Sequence, residues 1–279
     1  MRRFAVVTTM HPEGYERYGR VMAQTFLQHF PAEVPLLLYH ENFTPDVADS
    51  RLVARDLLLS SPQLVAFKQR HANNPRALGR ANPWRRIKLL GLRIPIPVRI
   101  SKGAFRWDAV RFSHKSFCIF HAARHSDADV LIWIDADTRF FADVDLQELE
   151  AMVPEDCFVG CLQRRNYSEC GFVAYNLRHP DCAAFLADFE RYYTEDRFFA
   201  EREFHDSWLF DQARLRAERR GGRSHDISEG IGQRAAHVLI NSRLGRFMDH
   251  MKGDRKDAGQ SRAEDLLVAR TEAYWKRPD

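Results

Sequence analysis

Asp135 and Asp137 stand one residue apart at the end of Val130-Leu-Ile-Trp-Ile-Asp135-Ala136-Asp137, and no other pair in this chain is better suited to chemistry. Two hard oxygen donors at that spacing suit Mg²⁺ or Mn²⁺, which bind through one or two carboxylates while phosphates complete the shell. Asp-x-Asp also occurs in plain turns and helix caps, so the pair needs company. A second cluster lies far along the chain, in Met248-Asp249-His250-Met251-Lys252-Gly253-Asp254-Arg255-Lys256. A neutral imidazole at His250 can add a nitrogen ligand to oxygen-bound Mn²⁺. Gly253 lets backbone approach a phosphate closely, and Lys252, Arg255 and Lys256 offer cationic donors to diphosphate oxygens. Alone, that stretch reads as a solvated basic loop.

The elements that must position these groups are legible in outline. Val130 to Ile134 is a continuous apolar run, the pattern of a strand buried on both faces. In open α/β sheets ligands bind just beyond the carboxyl ends of such strands, where Asp135 and Asp137 emerge. Phe4 to Thr9 reads as a first strand, Tyr15 to Phe30 as a helix and Val34 to Tyr39 as a second strand. That order makes a βαβ unit, hence parallel pairing. Residues 43–67 read as helix and loop, and Trp107 to Arg124 as a helix leading into the Asp-x-Asp strand. Phe158 to Gly160 and Gly171 to Asn176 read as strands, Asp181 to Tyr193 and Phe204 to Leu215 as helices. His237 to Asn241 reads as a late strand, and residues 262–275 as a terminal helix. Residues 70–105 are interrupted by Asn73-Asn74-Pro75, Asn82-Pro83 and Ile94-Pro-Ile-Pro97, so a mobile basic loop is expected, made amphipathic by Trp84, Leu89, Leu90, Leu92 and Ile94.

With 279 residues, 45% hydrophobic, the chain can bury a sizeable core as one α/β domain with a mostly parallel central sheet flanked by helices. No composition break or internal repeat divides residues 1–279. The five cysteines have no metal-finger spacing, and core packing in a reduced, cytoplasmic compartment is the expectation. The apolar run at Phe4 is too short for a secretory segment, and no stretch approaches a membrane span. Net charge is +4, but from Lys68 to Lys115 there are thirteen Lys or Arg and one acid, Asp108. Such a patch, over an insert at about 68–105, attracts phosphates, nucleic acid or an anionic membrane.

Taken together, the βαβ start, the apolar strand ending in Ile134-Asp-Ala-Asp137, Glu169-Cys-Gly-Phe172 with Asn176, and the late His250-x-x-Gly253-x-x-Lys256 resemble the nucleotide-sugar glycosyltransferases of the Rossmann-like GT-A fold. The last motif resembles the metal and diphosphate loop of family 8, with Asp257-Ala258 where Pro-Trp often follows. The resemblance spans residues 4 to about 256. It implies a metal-dependent hexosyltransferase that takes a nucleoside diphosphate sugar, a UDP-sugar favoured, to a hydroxyl of a glycan, glycolipid or lipopolysaccharide. It places Mn²⁺ (or Mg²⁺) on Asp135, Asp137 and His250, with Asp135 also near the ribose. Thr8 and Thr9 would border the base or ribose. Arg111 and Lys115, four apart on a helix, would share a face toward the phosphates with Lys252, Gly253 and Lys256.

On the acceptor side stand Glu169-Cys170-Gly171 and His205-Asp206-Ser207. Gly171 at a strand start leaves room for a close approach, by a sugar on this reading. Asp206 is the first candidate for general base or charge-stabilising carboxylate, with Glu169 and Asp211 behind it. Asp206 or Ser207 could equally be a helix cap. Two other classes compete. A nucleotidyl or phosphoryl transferase also uses paired aspartates, but no Gly-x-x-x-x-Gly-Lys loop is present. A nucleic-acid or anionic-membrane binding module would use the basic insert and leave Asp135, Asp137 and His250 idle. The expected partners are a sugar donor and a glycan or lipid-linked acceptor, with peripheral contact at the inner face of an anionic membrane and no nucleic acid.

Overall fold

The computed structural model describes residues 1–81, 84–89, 91–97 and 104–276. Eleven strands are present among them: β1 (Phe4–Met10), β2 (Leu36–His40), β3 (Leu52–Asp56), β4 (Trp84–Leu89), β5 (Leu92–Pro97), β6 (Val130–Ile134), β7 (Thr138–Phe140), β8 (Val159–Leu162), β9 (Glu169–Asn176), β10 (Ser224–Asp226) and β11 (Met248–His250). Seven form the central sheet in the order β10-β8-β9-β6-β1-β2-β3. The fold is α/β with a mostly parallel sheet: β6, β1, β2 and β3 run together, and only β9 opposes its neighbours.

The apolar runs read from sequence become the sheet's centre because both faces are covered. Ala5, Val7, Leu131 and Trp133 point into one core, and Phe4, Val6, Val130, Ile132 and Ile134 into the other, the period of two a strand imposes. Helix α1 (Arg20–His29), entered through a π-helical turn at Tyr15–Gly19, buries Met22, Ala23 and Phe26 in the second core. Helices α2 (Pro62–His71), α3 (Ala109–His125), α4 (Pro180–Thr194) and α5 (Asp206–Arg219) cover the first. Their aromatic residues, Phe67, Phe117, Phe120, Phe185, Phe189 and Phe210, are fully buried there. All five cysteines are buried and free, as core packing requires.

Two features of this topology build the site. First, β9 runs against β6, so its opening residues lie beside the closing residues of β6: Ile134 pairs with Phe172, and the Asp135 N–H donates to the Gly171 carbonyl at 2.9 Å. Second, β7 and β11 form a separate antiparallel ribbon in which Thr138 faces His250. The Met251 N–H continues that ladder to the Asp137 carbonyl at 2.9 Å. Residues more than a hundred positions apart are thereby fixed side by side.

Four expectations are corrected. Within 43–67 the chain adds β3, an edge strand only half covered, whose Leu-Val-Ala-Arg-Asp lacks the continuous apolar run of a central strand. The stretch expected as a mobile loop, 70–105, instead continues α2 to His71 and folds β4 against β5, in a register that sets Ile87 opposite Ile94 and Leu89 opposite Leu92. Asn82, Pro83, Leu90 and residues 98–103 of that stretch lie outside the described residues. His237 to Asn241 is no strand: Val238–Asn241 makes a helical turn whose first N–H, at Val238, donates to Glu169 Oε2 at 3.0 Å. A short apolar run does not by itself distinguish the two states.

The terminal helix at 262–275 is the fourth. It is replaced by two 3₁₀ turns, Ala263–Asp265 and Ala273–Trp275. Tertiary bonds take the place of helical ones for Leu267 and Val268, whose N–H groups donate to Asn241 Oδ1, and the Arg270 side chain donates to the Ile240 and Ser242 carbonyls. Tyr274 stacks on Phe141 at 4.1 Å and donates to the fully buried Asp249 at 2.9 Å. This strap therefore grips the ribbon that carries His250.

Candidate metal centre and binding pocket

At the carboxyl end of β6 a pocket of about 440 Å³ opens, lined by Lys115, Asp135, Asp137, Glu169, Asp206, His250, Lys252 and Gly253 among others. Its lining includes a cluster of Asp135, Asp137 and His250, whose ligand atoms all lie within 4.8 Å of one another. His250 Nε2 is 3.1 Å from Asp137 and 3.4 Å from Asp135. Its other ring nitrogen, Nδ1, donates to Glu169 Oε1 at 3.3 Å. A carboxylate holding Nδ1–H leaves Nε2 as the free ligand atom, the usual arrangement behind a metal-bound histidine. Two carboxylates and an imidazole of this tautomer fit Mn²⁺ or Mg²⁺.

Glycine makes room for that ring. A Cβ on Gly171 would stand 2.5 Å from both Cε1 and Nδ1 of His250. The gap anticipated for a sugar is filled by the imidazole. On the ribbon side, His237 Nε2 donates to the His250 carbonyl at 2.8 Å, and burial pushes His237 down to about 3, so it stays neutral.

Charges around the cluster are matched. Lys252 pairs with Glu169 at 2.5 Å and Lys256 with Asp137 at 2.8 Å. Lys115 Nζ sits 2.9 Å from both Asp135 and Asp206, over the Trp133 ring at 5.0 Å. Burial would strip the Lys115 proton, but Asp135 and Asp206 hold it charged, above the ordinary lysine range. Burial likewise disfavours the charged forms of Asp137, Glu169 and Asp206, yet the adjacent cations keep all three below the usual carboxylate range.

His250 is the adjustable member. Burial opposes its protonation, but the Asp137 charge and bonds to Asp137 and Glu169 prevail and raise it to about 9. Protonated, it brings the cations (Lys115, Lys252, Lys256, His250) level with the carboxylates (Asp135, Asp137, Glu169, Asp206). Because the folded value lies above the ordinary 6.5, the bound proton stabilises the fold fully below that pH, and the contribution fades as pH rises through about 9. A cation on Nε2 must displace this proton. Mn²⁺ affinity should therefore climb about tenfold per pH unit between roughly pH 7 and 8.5, measured by calorimetric titration. A flat profile would show that His250 is no ligand.

The remaining anticipated residues divide. Asp206 is the first residue of α5, but His205 takes the capping role, accepting from the Trp208 N–H, which leaves the Asp206 carboxylate for Lys115 and the pocket. Gly253 adopts φ +62° with open space where a Cβ would stand. Thr8 is fully buried, and the Thr9 hydroxyl donates to the Tyr39 carbonyl at 2.8 Å; neither lines the pocket. Arg111 is exposed beside Phe112 and is not part of the lining, although Lys115 one turn on is. Asp211 lies within the body, accepting from Ser168 and Arg214 at 2.8 Å.

Sequence reading missed Trp133, whose indole N–H donates to Asp135 at 2.7 Å. Strand alternation, which puts residues 133 and 135 on one face, was the available signal. It also missed an outer wall of Phe105, Phe112, Arg164 and Tyr167. Those four come from three separate segments, and no local pattern joins them.

No family model and no curated sequence matches the chain. Solved structures that resemble it include mouse xyloside xylosyltransferase 1 in its apo form, at 11% identity and TM-score 0.45, covering 80% of this chain and 84% of that one. The apo-form glycosyltransferase GlyE of Streptococcus pneumoniae TIGR4 aligns at 11% identity and TM-score 0.43, over 82% of this chain and 46% of its own. The apo bifunctional glycosyltransferase WbbM aligns at 13% identity and TM-score 0.46, over 90% and 46%.

Proposed function

We propose that this chain is a single-domain, metal-dependent glycosyltransferase of the GT-A type. It moves a sugar from a nucleoside diphosphate donor, a UDP-sugar favoured, to a hydroxyl of a glycan or lipid-linked acceptor. One observation carries the reading: Asp135 and Asp137 from the end of β6 meet His250 from a remote ribbon, with Lys252 and Gly253 lining the same pocket and Lys256 paired to Asp137. An acid pair alone occurs in many turns. An acid pair closed by an oriented imidazole and flanked by cations is a site for a divalent ion and a polyphosphate.

Bound at Asp135, Asp137 and His250, the ion supplies Lewis-acid stabilisation of the leaving diphosphate. The protein's own groups do the rest. Lys252 and Lys256 bind phosphate oxygens, and Gly253 brings backbone close to them. Glu169, with both oxygens engaged by His250, Lys252 and the Val238 N–H, positions the imidazole rather than meeting the acceptor. Asp206 faces the reacting sugar. A carboxylate held below its ordinary range by Lys115 is a weak base, so its role is to steady positive charge developing on the sugar ring.

Thermal unfolding with UDP and with GDP, each with and without Mn²⁺, tests this. A nucleoside diphosphate at about 100 times its Kd should raise the midpoint by roughly 5 °C, and only when Mn²⁺ is present. No shift with either nucleotide in Mn²⁺ would end the proposal. Mass spectrometry over a panel of nucleotide sugars then identifies the donor.

A further inference from the structure

The basic insert leaves the body and returns to it at one place. Leu78 and Asp108 form an isolated antiparallel bridge that closes the excursion between them. The returning end is pinned beside the pocket: the Arg106 carbonyl accepts from the Phe204 and His205 N–H groups at 2.6 and 3.1 Å, and the Trp107 indole donates to the Arg202 carbonyl at 3.1 Å. Asp206 follows at once, and Phe105 belongs to the pocket wall. The root of the excursion is therefore held beside the pocket.

The excursion itself is a hairpin of β4 and β5 that joins no other strand among the described residues. Leu89 pairs with Leu92 across a two-residue turn in which Gly91 takes φ +82°. Leu89 is 52% exposed, Leu92 68%, Ile94 38% and Phe105 44%. Four of the nine large apolar side chains exposed among the described residues thus fall in this one short segment. A lone two-stranded hairpin is marginal in water, and an exposed edge with aliphatic residues is a hazard unless something covers it. The sequence from 84 to 106 adds seven Lys or Arg and no acid.

We infer that this hairpin docks the pocket mouth on an anionic membrane surface. Phospholipid headgroups take the cations, and the acyl boundary takes Leu89, Leu92 and Ile94. A nucleic acid would use the same cations but has no use for an aliphatic tip, since it binds through phosphates and stacked rings. No described helix is long and apolar enough to cross a membrane. The contact is independent of the reaction proposed above. Combined with that reaction, it presents an acceptor hydroxyl carried on a lipid directly to the pocket.

Co-sedimentation of the full chain with phosphatidylcholine vesicles, with or without about 30 mol% phosphatidylglycerol, is the test. Binding should be at least about tenfold stronger on the anionic vesicles and weaken as salt is added. Leu89→Ser/Leu92→Ser should lower it at least about tenfold with charge unchanged. Arg85→Gln/Arg86→Gln/Lys88→Gln should lower it about fivefold per cation removed and keeps the test open if the leucine variant misfolds. Equal binding to both vesicle types overturns the inference. So does tight binding of a single-stranded RNA that survives the leucine substitutions while vesicles are ignored.

Discussion

Asp137→Ala should abolish Mn²⁺-dependent binding of a nucleoside diphosphate, and with it sugar transfer, in a chain that still folds. The side chain accepts from Lys256 at 2.8 Å and faces His250 Nε2 at 3.1 Å, so its loss removes both a proposed cation ligand and the partner of Lys256. One unit charge about 4 Å from another is worth roughly 4 kcal/mol at an effective dielectric of 20, which is on the order of a thousandfold in affinity. The fold should survive because the ribbon is joined by backbone: Met251 donates to the Asp137 carbonyl, and Thr138 pairs with His250 whatever the side chain. His250 also keeps Asp135 and Glu169 as partners. Some stability is lost, since a carboxylate held below its ordinary range stabilises the native state at every pH above that range. Asp137→Asn keeps the shape and separates charge from packing. Calorimetry with Mn²⁺ and turnover of the matched nucleotide sugar are the readouts. Near-normal metal-dependent turnover by either variant would mean that the cation sits elsewhere.

How far the sequence disclosed this site depends on how local each signal was. Asp135 and Asp137 were visible because an apolar run ending in acids is a strand end whatever surrounds it. His250, Gly253 and Lys256 read alone as a solvated basic loop; only their resemblance to a glycosyltransferase loop singled them out, and the fold brings His250 to the two aspartates. Glu169 and Gly171 were noticed on the acceptor side, but that Glu169 lies against His250, and that the space over Gly171 holds the His250 ring, follow from β9 opposing β6. That reversal brings the start of one strand against the end of the other, and nothing in residues 169–176 announces direction. β3 was hidden by being at an edge, where half-exposed Leu52, Val53 and Asp56 dilute the apolar run. The terminal segment was misread for the opposite reason. Its composition permits a helix, but Asn241 takes the Leu267 and Val268 N–H groups that a helix would pair within itself, and the Arg270 side chain ties the segment to the Ile240 carbonyl.

Gly171→Ala should cost about 10- to 100-fold in Mn²⁺ affinity although residue 171 touches no metal. The added methyl would stand 2.5 Å from two atoms of the His250 ring, so one of them must move. β9 is restrained: the Asp135 N–H holds the Gly171 carbonyl, β6 pairs with the strand from Phe172 onward, and β8 pairs with it at Glu169 and Val173–Tyr175, on either side of an irregularity. The His250 backbone is held as well, by its pairing with Thr138 and by His237. Only the imidazole can turn, and turning breaks the Glu169 contact that aims Nε2 at the two aspartates. Overpacking of this kind costs about 1–3 kcal/mol of stability. The decisive measurement is a double-mutant cycle with His250→Ala, which removes the ring. In that background Gly171→Ala should cost almost nothing in thermal stability, because the methyl then enters vacated space. If the penalty persists without the ring, the clash lies with the strand itself. If Gly171→Ala binds Mn²⁺ like the parent, the position of the imidazole does not govern the metal, and His250 loses its place among the ligands.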